Sequence, residues 1–237
     1  MNAPRVALLA LCLLLPAASY HAGGATLWVV HAVGCALTAG LAVWLLHDDG
    51  LLRGAFEHKA GDPTLALLGA LGFFGATVLI VNHWLAPEPV LHYCGPQGAF
   101  LPRRGVTGLT AAAEWLRVRA CMAHFHSAGI RGPLRAVAIV FIAATEEIAW
   151  RGGVQQVLSE RLGSTRGWVA ASVLFGVAHL GTGNPVIALL AMTGGFLWGG
   201  IFLWRGRLLP AVLSHGVFSF ALFYQNSPFV IPVGLLR

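Results

Sequence analysis

Charge is what this sequence has least of. Asp, Glu, Lys and Arg together make up 10% of the 237 residues, and Lys59 is the single lysine. A soluble globular domain carries about 25% charged residues, so that class is excluded. Also missing are the short segments of alternating polarity from which a membrane β-barrel is built. No block of basic residues with interleaved aromatics accompanies the net charge of +6. Nucleic acid is therefore set aside as a partner, and the scattered arginines read as anchors against anionic headgroups. The four cysteines, Cys12, Cys35, Cys94 and Cys121, contain no CxxC pair and show no metal-ligand spacing.

Apolar runs are abundant: 57% of the chain is hydrophobic. Runs at about 5–20, 25–46, 64–85, 134–151, 167–182, 185–204 and 209–226 approach or exceed the roughly 20 residues that cross a bilayer as a helix. The expectation is an all-α, polytopic transmembrane helix bundle of about seven spans, with six to eight allowed, forming a single membrane domain. Residues 1–20 resemble a secretory signal, and a retained first helix is the expected outcome. Residues 1–132 then comprise membrane helices and a basic connector, and 133–237 a helix bundle that holds the chemistry. Within the connector, 108–129 could form an amphipathic helix, interfacial or gating a substrate, but a solvated linker is the default reading. Gly195 and Gly199, four apart, read as a close-packing seam. The arginines divide almost evenly between the two faces, so charge alone assigns no orientation.

Ionisable side chains inside a span cost roughly 2.5–3.5 kcal/mol each at the centre and usually face a bundle interior. Those in the last four spans are Glu146, Glu147, His179 and His215, with Arg151 near a helix end. At 3.6 residues per turn, Glu147 and Arg151 lie about 40° apart and one turn along, a pairing distance. Glu146 points about 100° away from Glu147, which leaves Glu147–Arg151 as a structural pair and Glu146 as the working carboxylate. Phe175 precedes His179 by one turn, and His215 precedes Ser219 by one turn. With loops expected at 152–166 and 205–208, depths from that face are roughly 10 Å for Glu146, 18 Å for His179 and 9 Å for His215. One cavity can collect all three. His31 and His83, in the first three spans, read as packed, hydrogen-bonded side chains.

A carboxylate beside two histidines in a dry cavity can hold and deprotonate a water, and a histidine can stabilise an oxyanion. Glu with two His is also a catalytic zinc set, but the HExxH spacing of helical zinc proteases is absent. Metal is therefore the weaker version, and no cofactor is expected. The same buried set suits a second class of function, a non-enzymatic proton-coupled transporter or a membrane assembly or immunity protein.

The three motifs EEIAWR (146–151), FGVAH (175–179) and HGVFS (215–219) resemble, in order and context, the CPBP family of intramembrane proteases. That family includes the type II CAAX prenyl endopeptidases and the bacterial Abi proteins. The resemblance covers about 134–220 and implies a glutamic protease without a required metal. It implies Glu146 as the water-activating base, His179 as a holder of that water and His215 as the group facing the oxyanion. Glu147, Arg151, Phe175 and Ser219 are implied in support, with Ser219 standing where the family usually has Asn or Asp. The implied substrate is a membrane-anchored protein or peptide, and the implied location a bacterial-type inner (plasma) membrane, crossed several times.

Overall fold

In the computed structural model the described residues are 2–22, 24–79, 130, 132–182 and 185–223. The expected helix at 108–129, His83, Cys94 and Cys121 lie outside them. Every regular element among the described residues is helical. In chain order they are α1 (Ala3–Ala22), α2 (Gly24–Asp48), the short α3 (Leu52–Ala55) and α4 (Asp62–Leu79). From residue 132 onward come α5 (Gly132–Glu147), a π-helical segment (Ile148–Gln155), α6 (Gln156–Leu162), α7 (Ser164–Leu180), α8 (Pro185–Arg205) and α9 (Leu209–Phe223).

Ala3–Ala22, Ala25–Asp48 and Ile187–Arg205 are long and apolar enough to cross a membrane. Their outer surfaces are apolar too: Leu14, Leu37 and Trp204 are each about two-thirds exposed. Such a skin suits lipid rather than water, and the chain is an integral membrane protein.

One expectation fails. No loop occupies 152–166: the helix that begins at Gly132 continues through the π segment to Leu162, and the break is confined to Gly163, at φ +83°. Packing explains the continuity. The π segment is pressed against α1 and α2 at Gly153, where a Cβ would lie 2.6 Å from Leu8 Cδ2 and 2.9 Å from Ala42 Cβ. A loop there would bury unpaired backbone groups. The helix instead keeps them bonded through a stretch in which Ala149 through Gln155 are all buried. Glu146 consequently lies roughly 20 Å from the Leu162 end, deeper than expected.

The core runs through the middle of the bundle, where Leu8, Leu45, Trp150, Val154, Phe175 and Trp198 form one apolar cluster. The α7–α8 seam is close. A Cβ on Gly195 would meet Ser172 Cα at 3.0 Å, and one on Gly199 would meet Trp168 Cδ1 at 2.8 Å. The Trp168 indole donates to the Phe196 carbonyl across the same seam at 3.1 Å. Because backbone stands opposite Gly195, Gly195→Val has nowhere to yield. A loss of about 1–3 kcal/mol, typical of overpacking, is expected as a lower denaturation midpoint in detergent.

At the face holding α3, Asp62 ties the start of α4 to the α8–α9 turn. Arg207 donates through Nε at 3.0 Å and Nη2 at 2.8 Å, and Arg205 Nη2 donates at 3.0 Å. Asp62 is fully buried, and by accepting these bonds it raises the Arg207 pKa above the usual guanidinium value. Asp62→Ala leaves two guanidinium groups without that acceptor. A lower unfolding midpoint is the expected result.

Candidate active site

The π segment and its neighbours carry the acidic pair. Glu147, the residue immediately before the π segment, is fully buried. Its Oε2 lies 3.0 Å from Arg151 Nε, and its Oε1 accepts a 2.8 Å hydrogen bond from His215 Nδ1. The Arg151 Nε–H is not aimed along the Oε2 direction, so that contact is an ion pair without a hydrogen bond. Arg151 is held further by the face of Phe175, 4.7 Å from its guanidinium carbon, and by the Gly194 carbonyl at 3.5 Å. Cation–π contacts of this kind are strongest where water is excluded.

Glu146 faces the other way, into a cavity of about 200 Å³. Its Oε1 lies 3.9 Å from His179 Nε2 and its Oε2 lies 3.9 Å from His215 Nε2. Both separations are too long for a direct hydrogen bond and are of the kind a bridging water fills. Partners on the far side of each ring set its tautomer. His179 Nδ1 lies 2.8 Å from the Phe175 carbonyl, which only accepts, so Nδ1 carries the proton. His215 Nδ1 likewise donates to the Glu147 carboxylate. In the neutral form each ring therefore turns an Nε2 lone pair toward Glu146. The His215 ring is fixed by stacking on Trp198, with centroids 3.7 Å apart and planes 17° apart. Phe175 meets the His179 ring edge-on at 4.7 Å and packs on Trp150 at 4.9 Å. Ser219 is buried and lines the same cavity.

Sequence reasoning missed His31. It is more than a packed side chain: its Nε2 lies 3.1 Å from Glu146 Oε1, nearer than either histidine from the C-terminal half. Its Nδ1 lies 2.7 Å from Ser19 Oγ, which also reaches the Leu15 carbonyl at 2.9 Å. The single Ser19 proton thus goes either to His31 Nδ1 or to a backbone carbonyl, that of Leu15 or that of Pro16 at 3.1 Å. If it goes to His31 Nδ1, Nε2–H donates to Glu146. If it goes to either carbonyl, Nδ1–H donates to Ser19 and Nε2 turns a lone pair toward Glu146. The available signal was position, since His31 lies inside an apolar run as His179 and His215 do.

The cavity has room for on the order of six waters. It is lined mainly by apolar side chains such as Trp28, Ile139 and Leu190. It runs from Glu146 toward the face where α1 ends and α5 begins, because Tyr20, Leu27 and Thr182 complete its wall. A carboxylate with three imidazoles in a largely apolar pocket of this size can activate water or relay a proton.

Residues 132–221 match the family model described as Type II CAAX prenyl endopeptidase Rce1-like. No curated protein and no solved structure matches the chain.

Proposed function

We propose, on the premise that residues 132–221 belong to the type II CAAX prenyl endopeptidase family of membrane proteases, that this chain hydrolyses a peptide bond of a membrane-anchored protein or peptide. The observation that carries the reading is the Glu146 carboxylate, each of whose oxygens lies 3.9 Å from a histidine Nε2 at the cavity wall. A water at that spacing gives a proton to Glu146 while His179 Nε2 accepts its other hydrogen bond. The oxygen attacks the carbonyl carbon. His215 in its doubly protonated form, its charge answered by Glu147, offers Nε2–H to the oxyanion. Collapse breaks the C–N bond, and the proton held by Glu146 passes to the leaving amine. His31, when its Nε2–H donates, holds Oε1 of Glu146 in place. No step requires a metal, and no serine or cysteine acts as nucleophile.

The cavity is small beside the 300–1,000 Å³ of pockets that engulf a ligand. It suits the scissile stretch of an extended chain whose anchor stays in lipid. The test is reconstitution of the full chain in proteoliposomes with three peptides: a prenylated one with a CAAX end, its unprenylated counterpart, and a transmembrane one. Products are read by mass spectrometry. Cleavage that disappears in Glu146→Gln supports the reading, and the peptides that are cut define the substrate class. The Ser19–His31–Glu146 chain of hydrogen bonds is also the form of a proton relay, which favours a transporter as the second reading. Solute or proton flux that depends on Glu146, with none of the three peptides cut, decides for it.

A further inference from the structure

Among the buried groups beside Glu146 that the mechanism does not use is a thiol. Cys35 lies one helical turn after His31 on α2 and is 1% exposed. Its Sγ, a ring nitrogen of His31 and a carboxylate oxygen of Glu146 all lie within 4.8 Å of one another. A second cavity, of about 10 Å³, lies against these three residues and Cys12, enough for about one water-sized particle. Nitrogen, thiol and carboxylate donors from two helices thus converge on a space of ionic size.

We propose that His31, Cys35 and Glu146 form a site for a thiophilic divalent cation of the Zn²⁺ class, and that its occupancy reversibly switches off water activation at Glu146. The regulatory half rests on the protease reading above; the binding half does not. Softness selects the ion class, since thiolate with imidazole suits Zn²⁺, whereas Mg²⁺ and Ca²⁺ want oxygen alone. Charge favours it in a bilayer interior. A divalent ion, the Cys35 thiolate, the Glu146 carboxylate and a neutral His31 sum to zero, so a charge-neutral unit replaces an isolated buried ion. Binding releases the Cys35 thiol proton, as coordination by a thiol requires.

His31 is already oriented for the task. A ligating histidine ordinarily donates its other ring N–H to a fixed acceptor. Ser19 Oγ, 2.7 Å from Nδ1 and itself bonded to the Leu15 carbonyl, is that acceptor. The ion selects the arrangement in which Nε2 has its lone pair free. Tetrahedral bonds of about 2.0–2.3 Å set ligand atoms roughly 3.5 Å apart, so the donors close by on the order of 1 Å. The larger cavity supplies the fourth position, for water, and a route of entry. The carboxylate that would take a proton from water is then a metal ligand.

The full chain in detergent is titrated with Co²⁺ as an optical stand-in for Zn²⁺, and proteolysis is assayed in parallel with added Zn²⁺ and EDTA. The wild type is expected to bind one Co²⁺ with a thiolate-to-cobalt charge-transfer band. That band disappears in Cys35→Ser and persists in Cys12→Ser. Zn²⁺ inhibits cleavage, EDTA restores it, and Cys35→Ser cleaves normally with sensitivity to Zn²⁺ at least about 10-fold lower. The binding claim is overturned if the wild type gives no such band, or if the band survives in Cys35→Ser, which assigns the thiolate elsewhere. Inhibition equally strong in Cys35→Ser overturns the regulatory claim. A cobalt band in a protein that cuts no peptide sinks the protease reading and leaves the site standing.

Discussion

Glu146→Gln is expected to lower kcat/KM for the true substrate by about 10³-fold, within the range a positioned general base contributes, while leaving the protein folded. The amide has nearly the shape of the carboxylate. One end of the amide still meets His31 Nε2, 3.1 Å from the wild-type Oε1, its oxygen accepting from Nε2–H or its nitrogen donating to the Nε2 lone pair, so packing and the local hydrogen bond survive. What is lost is the capacity to take a proton from a water lying between the carboxylate and the two Nε2 atoms, each 3.9 Å away. The measurement pairs peptide cleavage in proteoliposomes with a thermal denaturation curve. Undiminished cleavage would end the assignment of Glu146 as base. Lost cleavage with a collapsed denaturation midpoint would make it a structural residue instead.

The largest stability effect is expected at the other carboxylate. Glu147 is fully buried and faces Arg151 at 3.0 Å and His215 at 2.8 Å. Arg151→Met removes one partner and strands the carboxylate with the imidazole alone. Breaking a buried pair from one side costs about 3–5 kcal/mol, to be read from reversible unfolding in mixed micelles. Replacing both partners, as Glu147→Gln with Arg151→Met, leaves no stranded charge. The double variant is expected to be more stable than the single one, the non-additivity that marks a coupled pair. Yet it should not recover activity. His215 Nδ1 then faces a neutral amide, and the imidazolium proposed to meet the oxyanion loses its counter-charge. Equal instability of the single and double variants would mean that Glu147 and Arg151 contribute separately.

The all-α membrane architecture was legible because it needs only local information: the length and polarity of each run decide it. The spacings inside each motif were equally local. Glu147 to Arg151, Phe175 to His179 and His215 to Ser219 are all single turns of one helix. What escaped was everything that depends on how helices are staggered. Gly152 and Gly153 next to Arg151 read as the start of a loop. They are instead where the helix approaches Leu46, Leu8 and Ala42 most closely, a contact that belongs to α1 and α2 and cannot be seen from residues 146–166. His31 escaped for the same reason. Nothing on α2 indicates that it meets Glu146, 115 positions further along. The step from His31 to Cys35 was visible as a spacing but carried no weight until a carboxylate stood opposite.

The π segment has a consequence beyond continuity. A π turn takes in roughly one residue more than an α turn, so the helix from Gly132 to Leu162 is one rod with two phases. Before Ile148 its rotation is set by Glu146, which must aim at the cavity, and by the contacts of α5 with α2 and α9. After Gln155 its rotation is set by the contacts of α6 with α7. A single uninterrupted α-helical phase would force one of these two demands to yield to the other. The slipped turn uncouples them: the far end can dock where the bundle requires without turning the carboxylate away from its histidines.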